Sequence, residues 1–163
     1  MESSFEIESA LGHISDMMEI LDLGGDRTPE EAQVFFRNKA IEWIGDTFWH
    51  IPLEHVKREG GCFVKPKTKF ECEKRLMDLI GLMCSGGVIT QAKYNFILRR
   101  AYEYGYGFDQ KRIEEAINYF KSIAQSIGFL IEDKRGRKLN TDQSGCLVII
   151  AIFIAVASMS FLF

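Results

Sequence analysis

His50 and His55 stand with four residues between them, and Cys62 follows, with Glu54 and Glu59 interspersed. A thiol beside an imidazole, with a carboxylate to orient the ring, has the makings of nucleophilic catalysis. Closeness along the chain does not bring these groups together in a fold, so no catalytic residue is assigned. The four cysteines, Cys62, Cys72, Cys84 and Cys146, have nine, eleven and sixty-one residues between them. Zinc sites use tighter pairs such as CxxC, so no metal ligand is assigned either. The glycine pairs at 24, 60 and 86 lack the spacing and the Lys-Ser or Lys-Thr of a phosphate loop. No GxSxG or HExxH motif occurs. These residues point to a protein that is not an enzyme and needs no cofactor.

Recognition is the other chemistry on offer. "EWIGDTFWH" gathers Trp43, Phe48 and Trp49, which read first as core. "RRAYEYGYGF" gathers Arg99, Arg100, Tyr102, Tyr104 and Tyr106, residue types that dominate binding interfaces. This Arg–Tyr turn is the candidate surface for a protein partner.

The final nineteen residues, "GCLVIIAIFIAVASMSFLF", contain no charged residue, amide or proline. A helix of that length reaches about 28 Å, close to a bilayer's hydrocarbon thickness. Leu147, Val148, Ile149, Ile150, Ile152, Phe153, Ile154, Val156, Phe161, Leu162 and Phe163 leave no polar stripe. Core helices of water-soluble proteins keep such a stripe. Residues 145–163 are therefore expected to be a transmembrane tail anchor, inserted after synthesis. Lys134, Arg135, Arg137 and Lys138 form a basic collar just before it. Basic flanks stay cytoplasmic and attract anionic headgroups, which places the preceding chain in the cytoplasm.

Residues 1–56 carry twelve acids and three bases, a net of −9; residues 57–163 carry eleven acids and seventeen bases, a net of +6. The half joined to the membrane is the basic one, and the acidic half is free to face a partner. Nucleic acid is excluded as a partner because the bases are dispersed among acids. The acidic start, "MESSFEIESALGHISDMMEI", is unlike a cleaved signal peptide.

Helical periodicity fills the rest. One helix is expected from about Phe5 to Leu21, with Phe5, Leu11, Ile14, Met18 and Leu21 inward. A second starts at "TPEEAQ", where Thr28 caps, Pro29 suits the first position and Glu31 closes a capping box. It runs to about His50, with Gly45 as a break and Pro52 as the stop. Residues 51–68 read as irregular, with a short hairpin. A third helix spans about Phe70 to Cys84, and Thr90 and Asp109 cap a fourth and a fifth. The expected fold is all-α: a compact bundle of about five helices over residues 1–128, a basic linker over 129–144 and the single span.

The stretch "KRLMDLIGLMCSGGVITQAKYNFILRRAYEYGYGFDQKRIEEAI" resembles the core of the tellurite-resistance TerB-like family, over roughly residues 70–125. An apolar helix, a small-residue segment, an Ile and a capping Thr lead into a second helix and a Gly-rich turn. Gly87, Ile89, Thr90, Phe96, Ile97, Ala101, Gly105 and Ile113 carry the likeness. The family's turn aspartate falls on Gly86 and its next acidic residue on Lys93, so a metal site is not carried over. The resemblance implies an all-helical cytosolic binding module of membrane-linked stress-response or phage-defence assemblies.

The leading expectation is thus a tail-anchored adaptor that binds an unidentified protein partner at the bilayer. One rival is a membrane effector whose tail forms homo-oligomers and permeabilises the bilayer through Gly145, Ala151, Ala155, Ala157 and Ser158. The other is an apoptosis-regulator-like bundle that grips amphipathic helices in a groove. "EWIGDTFWH" loosely resembles that family's second tryptophan motif, but its Asn-Trp-Gly-Arg signature is missing.

Overall fold

The computed structural model describes residues 3–24 and 29–136. Six helices form the domain: α1 (Ser3–Asp22), α2 (Glu30–Ile44), α3 (His50–Glu59), α4 (Lys69–Ser85), α5 (Gln91–Tyr104) and α6 (Gln110–Ser126). Two short strands, β1 (Val88–Ile89) and β2 (Glu132–Asp133), pair in parallel. Apart from these strands the described residues form an all-α fold, as their periodicity predicts.

α4 is the axis of the bundle. "LMDLIGLMC" is apolar around most of its circumference, and such a helix must be buried on all sides. α1, α2, α5 and α6 all pack on it, and Leu76, Leu79, Ile80 and Met83 are fully enclosed. Gly81 lets two aromatic rings meet its backbone. A Cβ there would stand 2.6 Å from Phe35 and 3.1 Å from Phe120.

Side-chain caps set where α4, α5 and α6 begin. Thr68, Thr90 and Asp109 accept hydrogen bonds from the Glu71, Lys93 and Arg112 amides respectively. Thr90→Ala is expected to cost about 1 kcal/mol, because one first-turn N–H of α5 loses its acceptor. Urea denaturation of the two chains measures that difference. α2 begins at Glu30 with Pro29 as its N-cap, and that cap makes no side-chain hydrogen bond. Thr28, the cap expected from sequence, lies outside the described residues.

α3 is the helix that periodicity missed. Pro52 does not stop a helix but sits in the first turn of a new one, where its absent N–H would have had no partner. The break falls at Gly45, whose φ of 92° few other residues tolerate. No hairpin forms over 51–68; the chain runs from α3 across α1 without regular structure. Gly12 allows that crossing, since a Cβ there would lie 2.5 Å from Val64 Cβ.

The buried face of α1 is also turned from the expected one. Ile14 is buried, but Leu11, Met18 and Leu21 are only partly so, while Ala10, Met17 and Ile20 are enclosed. The side chain of Phe5 is not among those described. The domain extends past residue 128: the Glu132 and Lys134 amides donate to the Gly87 and Ile89 carbonyls, and Ile131 packs on the core. Residues 129–136 are thus part of the bundle rather than linker. Among the described residues no helix is long and apolar enough to cross a membrane. The expected span, 145–163, lies outside them.

Candidate functional site

The chemistry-bearing side chains converge on a buried polar seam between α1 and α4. Each helix places polar groups at i, i+4 and i+7: Ser9, His13 and Asp16 on α1, Glu71, Arg75 and Asp78 on α4. That spacing holds them on one face. His13, Asp16 and Arg75 are 0% exposed, and Asp78 is 4% exposed.

Asp78 gathers three partners. Its Oδ2 meets His13 Nε2 at 3.0 Å and accepts from Trp43 Nε1 at 2.9 Å, while Lys39 Nζ stands 3.2 Å from Oδ1. Burial pushes its pKa up. The His13 hydrogen bond and charge, then Lys39 and Trp43, outweigh that and hold it below the usual carboxylate range.

Asp16 has the opposite balance. Tyr104 donates its hydroxyl to Oδ2, and Arg100 Nε stands 2.6 Å from Oδ1 without the alignment of a hydrogen bond. Burial dominates here and leaves the Asp16 pKa raised. Burial, then the Asp16 charge, also pushes the Tyr104 phenol up. Arg75 completes the seam by donating to the Ser9 and Val64 carbonyls and to Glu71, with Trp43 and Tyr104 flanking its guanidinium.

The seam ties α1, α4 and α5 together from within. An apolar cleft lined by Phe35, Gly81, Cys84, Phe120, Ala124 and Ile131 holds about 10 Å³, room for one water at most. Among the described residues no group of three or more His, Cys, Asp or Glu side chains is placed to hold a metal. His50 and His55 are exposed on α3, and Cys62 is a free, partly buried thiol. Burial pushes that thiol's pKa up, away from the thiolate a nucleophile needs.

The Arg–Tyr turn divides between surface and interior. Arg99 and Tyr102 are exposed, and Arg99 pairs with Glu19 at 2.7 Å. Tyr106 is half-buried and donates to the Pro66 carbonyl at 3.1 Å. Arg100 and Tyr104 belong to the seam, because the acidic face of α1 packs against that side of α5. Trp43 and Trp49 are partly buried, whereas Phe48 is 57% exposed.

The basic collar is likewise divided. Arg135 binds Asp133 at 2.7 and 2.9 Å, reaches Glu114 and stacks on Tyr94 at 4.6 Å. Lys134 pairs with Glu132 at 3.2 Å. The Arg135 hydrogen bonds hold Asp133 below the usual carboxylate range, and these two cations serve the domain itself. Arg137 and Lys138 lie outside the described residues. Arg135→Ala is expected to speed amide exchange at Glu132 and Lys134, leaving α4 unchanged, as hydrogen-exchange mass spectrometry would record.

The residues carrying the TerB-like likeness run from Gly87 through α5 to Ile113 on α6. Gly87 has φ 74°, Ile89 is enclosed, Thr90 caps α5 and Gly105 ends it in the left-handed region at φ 77°. A Cβ on Gly86 would stand 3.6 Å from Lys93 Nζ, so an ammonium lies where the resemblance puts two acids. Burial lowers the Lys93 pKa. No protein-family model matches the chain, and neither a curated protein nor a solved structure matches it.

Proposed function

We propose that this chain is a non-enzymatic, tail-anchored membrane protein whose TerB-like helical domain binds a protein partner at the cytosolic face of a membrane. A stress-response or phage-defence assembly is the setting this reading suggests. The observation that carries it is the uncharged stretch of nineteen residues from Gly145 to Phe163. Residues 137–144 leave at most about 29 Å of extended chain between bundle and span. Such a tether confines the domain near the bilayer and raises its effective concentration for partners held there.

Affinity capture from detergent-solubilised membranes tests this, comparing the full chain with one ending at residue 144. Both are expected to retain the same partner, and only the full chain to be found in the membrane fraction. Capture of nothing above background by either chain would refute the adaptor reading.

A second reading draws on Ala151, Ala155 and Ser158, small residues at helical spacing within the apolar stretch. A tail that oligomerises through them would permeabilise the bilayer. Toxicity on overexpression, abolished by Ala151→Leu and Ala155→Leu, would favour this effector over the adaptor.

A further inference from the structure

Among the described residues, the connection between α3 and α4 pairs with no strand, but its burial has a strand's period. From Cys62 to Lys67 burial alternates: Phe63, Lys65 and Lys67 are exposed, whereas Cys62, Val64 and Pro66 turn inward. Period two is the signature of extended chain. Side chains of the bundle hold the inward residues. The Cys62 amide donates to Ser15 Oγ at 2.9 Å, Arg75 donates to the Val64 carbonyl at 2.7 Å, and Tyr106 donates to the Pro66 carbonyl. In extended chain the N–H and C=O of one residue point to the same side, and successive residues alternate. Phe63 and Lys65 therefore direct their backbone groups away from those anchors. Among the described residues, none of those four groups has a hydrogen-bond partner.

An unpaired edge of this kind is a template for another strand. Its side chains say which one. Phe63 is 47% exposed and rests on Arg100 and Tyr104. Lys65 and Lys67 follow it on the same outward face. From Lys57 to Phe70 the chain has five bases and one acid, within a protein of net charge −3.

We infer that the Phe63–Lys65 edge binds an extended acidic peptide of the partner by strand addition. Backbone groups of Phe63 and Lys65 exchange hydrogen bonds with the peptide, and an Asp or Glu side chain of it lies across from Lys65. Pro66, which has no N–H, closes the edge at one end. A lipid surface fits less well, because headgroups supply acceptors to the N–H groups but no ordered row of donors for the carbonyls. This inference rests on the adaptor reading above and names where and what the domain binds.

The test uses the full chain in nanodiscs of zwitterionic lipid and the peptide acetyl-Val-Glu-Val-Glu-Val-Glu-amide. Saturating peptide is expected to slow exchange of the Phe63 and Lys65 amides while leaving α6 unchanged. Lys65→Glu is expected to weaken binding by about tenfold or more with an unaltered circular-dichroism spectrum. The same peptide methylated on alternate backbone nitrogens is expected not to bind. Equal binding of the methylated peptide, or binding without protection of those two amides, would overturn strand addition. Anionic vesicles that displace the peptide and protect the same amides would identify a membrane surface instead and overturn it too. A captured partner retained by the Lys65→Glu chain would remove the edge from the account and leave the adaptor reading standing.

Discussion

Asp78→Ala is expected to destabilise the domain by about 3–5 kcal/mol, the usual effect of removing one member of a buried charged cluster. The substitution leaves Trp43 Nε1, the His13 ring and Lys39 Nζ facing one another without their shared acceptor. The loss comes from those stranded groups as much as from the missing bonds. The thermal midpoint should fall by roughly 10 °C or more. Its dependence on pH should change as well. A carboxylate whose folded pKa lies below its unfolded value stabilises the fold above the unfolded pKa, and that contribution fades as pH falls through the folded one. Asp78 is such a group, so the parent chain should weaken on acidification below about pH 4, and Asp78→Ala should flatten that loss.

Asp16 runs the other way. Its folded pKa is raised, so its contribution is present when it is protonated and is lost as pH rises through that folded value. Asp16→Asn should therefore be far milder at neutral pH than Asp78→Ala, since an amide still accepts from Tyr104. Urea titrations of both variants between pH 3 and pH 7 separate the two carboxylates. Equal losses for both would mean that the seam has been misread.

The contrast shows which kind of information sequence carries. Apolar periodicity located α4, α5 and α6, and Thr90 and Asp109 marked two helix starts, because local chemistry decides those features. α3 was hidden because Pro52 has two meanings, stop and first-turn residue, and only the break at Gly45 selects between them. The seam was hidden because His13 and Asp16 look like an exposed stripe until a partner helix with Arg75 and Asp78 faces them. The shared i, i+4, i+7 spacing of polar residues on two apolar helices was the available signal. For Arg100 and Tyr104, the interface chemistry was legible, but the surface it serves is internal, against α1.

The second large effect concerns the apolar end. Ile154 is the central residue of the Gly145–Phe163 stretch. Placing arginine there costs about 2.5–3.5 kcal/mol of insertion free energy, or roughly a hundredfold in the insertion equilibrium. Ile154→Arg should therefore move a substantial share of the chain out of the membrane fraction, and Ile154→Leu should move none. The seam, caps and core lie in other parts of the chain, so both variants should keep the thermal midpoint of the bundle. A tail that served instead as part of the core would respond to Ile154→Arg with a lowered midpoint.

Alkaline carbonate extraction of membranes from cells expressing the full chain bears most directly on the anchor, on which the adaptor reading depends. Nineteen uncharged residues in hydrocarbon are expected to keep the protein in the pellet, and a chain ending at residue 144 should appear in the supernatant. Complete release of the full chain by carbonate would contradict the account.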